Sequence, residues 1–235
     1  MKRIIFVLLT VMCLPILLFA HSPAYTDQFF TDRCKFSSTG RNPYFILEPG
    51  YELILEGEED GEQVRLIVTV LDETKVINGV ETRVVRERES VNGELVEISR
   101  NYFAICKQNN SVFYFGEDVN IYENGQVVSH EGAWHAGVND ARPGIIMPGT
   151  ILIGARYFQE IAPEVALDRA EIMKLDATVS TPFGTFTNAL FIKETTPLEP
   201  GQTSSKYYAP GIGLIKDGSV TLIQVNTPSG QYYGQ

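Results

Sequence analysis

Five turn dipeptides recur at short intervals in the first half of the chain: Asp60-Gly61, Asn78-Gly79, Asn92-Gly93, Asn109-Asn110 and Asn124-Gly125. Asn-Gly and Asp-Gly supply the left-handed backbone angles of two-residue hairpins, and with strands on either side they are the strongest short-range hairpin signal. The runs around them, "YELILEG", "QVRLIVTVLDE", "VETRVVRERES", "ELVEISRNYFAIC", "SVFYFGEDVNIY" and "QVVSHEGAWHAG", are rich in Val, Ile, Tyr and Phe. Strand formers joined by tight turns predict an all-β protein whose long antiparallel meander forms an open or closed barrel-like sheet.

The second half is less regular. "ARPGIIMPGTILIGARYFQEIAP" carries its prolines in an apolar setting and reads as a covering loop or crossing segment. "VALDRAEIMKLDATV" fits helix or strand by pattern; its β-branched end and the hairpin-like "TPFGTFTNALFIKE" after it favour strands. "KYYAPGIGLIKDGSVTLIQV" reads as two more strands joined at Asp217-Gly218. An all-β domain of this length folds as one unit, so residues 51–235 are expected to form a single domain, with residues 21–50 as an N-terminal arm.

"MKRIIFVLLTVMCLPILLFAHSPA" reads as a secretory signal peptide covering residues 1–20, with Lys2 and Arg3 before an apolar run and cleavage after Ala20 or Ala24. The run from Ile4 to Phe19 is interrupted by Pro15 and falls short of the roughly 20 residues of a spanning helix. Cys13 lacks the small preceding residue of a lipid-anchor site. Beyond the leader stand Cys34 and Cys106, and two cysteines in an exported chain predict one disulfide. The formal net charge of −10 argues against nucleic acid and against an anionic membrane surface as partners. A periplasmic or secreted, soluble protein is the expectation, with no membrane insertion once the leader is gone.

Two-residue turns fix register, so strands can be threaded from them. From Asn124-Gly125, Glu123 faces Gln126, Val119 faces His130, Asp118 faces Glu131 and Phe115 faces Trp134. From Asn109-Asn110, Cys106 faces Phe113, Tyr102 faces Glu117 and Arg100 faces Val119; carried through Asn92-Gly93, Arg83 meets Tyr102 and Val85 meets Arg100. One face then gathers Phe113, Phe115, Val119, Ile121 and Trp134, with Arg83, Arg100, Tyr102, Glu117 and His130 embedded in it. Asp118, Glu131 and His135 fall on the opposite, solvated face.

Ionisable groups on an apolar face must pair or line a wet cavity. Three readings follow: an ion-pair network that only bridges strands; a ligand pocket; or acid–base catalysis by Glu117 and His130. In the pocket, Arg83 and Arg100 would hold an anionic head group and Phe113, Phe115 and Trp134 an apolar body. One bulge in any strand would exchange the faces. No hydrolase elbow, phosphate loop or metal-binding histidine pair is present, and "EGEEDGE" lacks the alternating ligands of a calcium loop. "RVVRERES" reads as a solvated strand with Arg88 opposite Glu97. No cofactor or metal is expected.

The segments "CKFSSTGRNPYFILEPGYELILEGEEDGE", "NYFAICKQNNSVFYFGEDVNIY", "HEGAWHAGVNDARPGIIMPG" and "TTPLEPGQTSSKYYAPGIGLIKDG" resemble a family of exported bacterial proteins of unknown function, a likeness that implies no activity and no catalytic residues. At the level of fold, a long meander ending in "YYAPGIGLIK" is similar to the half-barrels of periplasmic lipoprotein carriers. The expected role is therefore binding or carriage of a small amphipathic or anionic molecule on the concave face of the meander. The alternatives are a structural protein docking an envelope partner, and an enzyme.

Overall fold

A computed structural model of the chain describes residues 24–232. The leader lies outside them. The arm carries a 3-10 turn (Thr31–Arg33) and strands β1 (Phe36–Ser37), β2 (Gly40–Asn42) and β3 (Phe45–Leu47). The meander follows as β4 (Glu52–Glu59), β5 (Glu62–Ile77), β6 (Val80–Val91), β7 (Glu94–Cys106), β8 (Val112–Glu123) and β9 (Gln126–Ser129). Short strands β10 (Trp134–His135), β11 (Arg142–Met147), β12 (Arg156–Phe158) and β13 (Glu160–Ile161) precede β14 (Arg169–Thr181), β15 (Gly184–Thr195), β16 (Ser204–Ala209), β17 (Gly213–Asp217), β18 (Val220–Thr227) and β19 (Gly230–Tyr232).

These elements form a nearly closed, antiparallel, barrel-like sheet of 13 strands. Neighbours in sequence pair from β4 to β8; β8 then pairs with β11, β11 with β13, and β12 with β14. From β14 the wall runs on to β18, which pairs with β4 and closes the circuit. The segment 141–163, expected to be a covering loop or crossing segment, contributes β11, β12 and β13 to the wall: β11 takes the β8 edge that β9 and β10 leave free. Ile, Tyr and Phe decided this over the prolines, which stand at or near strand ends or outside the strands.

The turn chemistry behaves as the sequence requires. Asn78, Asn92 and Asn124 adopt φ of 46°, 52° and 52°, and the glycines after them 78°, 85° and 75°. Glu59 opposes Glu62, Ile77 opposes Val80, Val91 opposes Glu94 and Glu123 opposes Gln126. Residues 106–111 are the exception, forming a wider loop in which the Cys106 N–H reaches the Ser111 carbonyl at 2.9 Å.

Cys34 and Cys106 are joined in a disulfide spanning 72 residues, which ties the arm to the end of β7. A loop that long is worth about 4 kcal/mol by the chain-entropy account. Beyond it, the β2–β3 hairpin covers one end of the barrel. Phe45 packs edge-on against Phe103 at 5.1 Å, Leu47 is fully buried, and Asn42 sends its amide to the carbonyls of Asn110 and Pro148. Phe29 and Phe36 from the arm lie over Phe113, and Phe36 also over Phe115.

Candidate functional site

Side chains directly opposite on paired strands share a face, so the ladder sorts the wall into rows. One inward row runs Val225–Leu53–Val68–Glu87–Ser99–Val119. The next on one side carries Glu89 opposite Glu97, and on the other side Val85, Asn101, Glu117 and Trp134. From the other half of the barrel come Ile192–Lys206–Asp217–Val220 and Tyr157–Ala170–Glu194. A lumen is the result, apolar near the β2–β3 hairpin and rich in carboxyls further along.

A cavity of about 90 Å³ opens there between an apolar wall (Leu53, Val68, Val70, Phe103) and a polar floor (Glu87, Lys206, Tyr208, Asp217). Roughly 10–15 Å³ of such space holds one water, so this one has room for a small organic molecule or several waters. Lys206 Nζ lies 3.2 Å from Glu194 and 3.6 Å from Asp217. Burial would lower the Lys206 pKa, but these two carboxylates drive it well above the usual lysine range. Glu194 also accepts from the Gln159 amide at 2.8 Å.

Glu87 differs. Among the described residues its carboxyl has neither a hydrogen bond nor an ion pair, and burial pushes its pKa up to about 7, with Lys206 opposing the rise and Asp217, Glu97 and Glu194 adding to it. Glu117 also rises to about 7, through burial and the field of Glu87, against the hydroxyls of Tyr114 and Ser99, which favour the ion. Burial raises Glu97 and Asp217 in the same way. Tyr157 is 5% exposed, and its hydroxyl has no partner.

The sequence-predicted site residues divide between the two faces. Glu117 and Trp134 reach the inner face as neighbours, with Asn101 across the strand. Phe113 and Phe115 point outward beneath the arm's Phe36. Arg83 is 7% exposed and spent on the barrel rim: its Nε donates to the Ser38 carbonyl at 2.9 Å, and Nη1 reaches Leu71, Asp72 and Glu73 across a bulge in β5. Arg100 pairs with Glu73 on the outer face. His130 is exposed and sits against the Val119 carbonyl at 2.7 Å, so it does not join Glu117.

Bulges account for the reassignment. Val96, Phe115 and Val128 are each an extra residue in their strand, so Glu89 rather than Arg88 opposes Glu97, Asp118 rather than Val119 opposes Arg100, and Ser129 rather than Val128 opposes Ile121. Arg83 then meets Phe103, Val85 meets Asn101, and Tyr102 meets Gly116. Gly116 matters to this layout. A Cβ there would come within 2.7 Å of the Trp134 carbonyl, so only glycine lets β10 lie along β8.

Asp118 and His135, expected to be isolated on a solvated face, are instead networked there. Asp118 accepts from Lys75 at 2.9 Å and from the Tyr102 hydroxyl, and its other oxygen lies 2.8 Å from His135 Nε2. Lys75 Nζ is 3.1 Å from the Tyr102 hydroxyl and 4.4 Å from that ring's centroid. Despite burial, the Lys75 and Tyr102 contacts hold the Asp118 pKa below the usual range. A second cavity, about 220 Å³, opens beside this network and is lined by Asp118, His135, Glu117 and Trp134. Volume does not decide between the two: only the lumen joins an apolar wall to a carboxyl without a partner.

Glu87, Lys206, Glu194 and Asp217 were missed in sequence. The alternation Val85-Arg86-Glu87-Arg88-Glu89 held a signal, because continuing inward from Val85 turns both glutamates toward the lumen. With charges on both faces, hydropathy alone could not choose. No group of three or more His, Cys, Asp or Glu able to hold a metal ion occurs among the described residues. No family model, curated protein or solved structure matches the chain.

Proposed function

We propose that this is an exported, soluble, non-enzymatic binding protein that takes a small amphipathic molecule into the lumen of its barrel. The observation that carries the reading is Glu87, a carboxyl without a protein partner in an otherwise uncharged row, at the floor of an apolar-walled cavity. Leaving such a group unpaired costs stability, and the interiors of small barrels are otherwise filled by side chains or shaped to a ligand. The anionic ligand anticipated for Arg83 and Arg100 finds no support, since both guanidiniums are engaged away from the cavity.

The leader-like start of the sequence and the Cys34–Cys106 disulfide support export to an oxidising compartment. Mid-strand charges on the outer wall, the Glu56–Arg65 pair and Arg100 with Glu73, support a barrel bathed in water rather than lipid.

Titration with N-phenyl-1-naphthylamine, whose emission rises in apolar surroundings, tests the reading. Saturable enhancement at one probe per chain, lost in Val68→Trp, which fills the cavity, is the expected result. Enhancement that never saturates, or that survives Val68→Trp, would place the binding elsewhere. The mass of the protein recovered from the exporting cell should lack the leader.

A further inference from the structure

We propose that the ligand carries a protonated amine which Glu87 holds inside the barrel; the inference rests on the lumen reading and adds the chemistry of the head group. The lumen's charges set the sign. Lys206 is bridged between Glu194 and Asp217, so it has no free charge to offer an anion. Glu87 and Glu117 remain beyond that balance, and no second lysine, arginine or histidine meets either carboxyl among the described residues.

A neutral head group could hydrogen-bond Glu87 but would leave its charge unbalanced, which is costly away from water. An ammonium pairs with it through charge-assisted hydrogen bonds and brings three donors in all. Tyr157 is a second buried polar group on this side of the barrel. It is 5% exposed, its hydroxyl has no partner among the described residues, and it shares a row with Glu194 across the small Ala170. Glu194 lies within electrostatic reach of both Tyr157 and Glu87. Carbon chains attached to the amine would lie against Leu53, Val68 and Phe103.

The test is isothermal titration of the intact, disulfide-bonded protein with n-octylamine, n-octanol and n-octanoate, repeated on Glu87→Gln. Octylamine should bind one to one, at least about tenfold tighter than octanol, the order expected of one charge-assisted hydrogen bond. Octanoate should bind weakest of the three. Glu87→Gln, which keeps the shape, should cancel most of the preference for the amine. Octanol or octanoate binding as tightly as octylamine would overturn the head-group assignment while leaving the lumen as a binding site. An undiminished amine preference in Glu87→Gln would remove Glu87 from the role. If none of the three binds, the inference falls together with the lumen reading.

Discussion

Two ionisable clusters lie on opposite faces of the same sheet, and they are built on opposite terms. On the outer wall, Asp118 is met by Lys75, Tyr102 and His135, so every strong donor nearby has an acceptor and the carboxylate is held ionised. On the inner wall, Glu87 has no such company and rises to about 7. A satisfied network ties strands together and asks nothing further. An unsatisfied carboxyl facing a cavity is a standing cost that protonation or a bound partner offsets. Burial alone would have ranked the two the other way, because Tyr102, in the outer network, is 1% exposed.

The sharpest way to break the contrast is to remove Lys206, the cation that pairs with Glu194 and Asp217 in the lumen. Lys206→Met strands Glu194 and Asp217 without a cation, and should lower unfolding stability in denaturant by roughly 3 kcal/mol at neutral pH. A loss no greater than that of an exposed lysine would mean the carboxylates are solvated. On the outer wall, Asp118→Ala should cost about 2 kcal/mol by leaving the buried Tyr102 hydroxyl and Lys75 without their acceptor. It should leave binding of the naphthylamine probe unchanged.

Glu87→Gln should act with the opposite sign. The folded chain keeps the Glu87 proton up to about pH 7, whereas an unfolded glutamate releases it near 4.5. Between those values the unfolded state binds fewer protons, so stability falls as pH rises. Without ligand the variant should match the parent at pH 4 and exceed it by roughly 1–2 kcal/mol at pH 8, measured as denaturation midpoints across that range. Part of the slope should persist, since Glu97, Asp217 and Glu117 face the same space with raised pKa values of their own. The smallest effect belongs to Arg100→Leu. Its partner Glu73 is half exposed, and the change should cost under about 1 kcal/mol and leave binding intact.

What was legible in the sequence follows from how local each determinant is. A two-residue hairpin needs positive φ at its own residues, so Asn78-Gly79 and Asn92-Gly93 announced themselves and the meander with them. The second-half strands were readable from β-branched content once the hairpin at 181–184 was recognised. Register was not. The bulges at Val96, Phe115 and Val128 depend on how one strand twists against another, and their side chains are ordinary strand formers. Each bulge exchanges the faces beyond it, which moved His130 away from Glu117 and brought Asp118 to Tyr102. The lumen floor needs Glu87 from β6 and Lys206 and Asp217 from β16 and β17, and no spacing along the chain records that meeting.

Closure of the wall has a temporal side. Thr221 and Glu56, which face each other where β18 meets β4, are 165 residues apart in the chain. A strand can be sealed only by a partner that has already been delivered, and such distant pairing is slow. Until β18 arrives, β4 must therefore wait with an open edge, the kind of surface that recruits strands from other molecules. The barrel exists as a container only after nearly its whole length has arrived, and a chain cut short before β18 would offer that edge to another copy of itself.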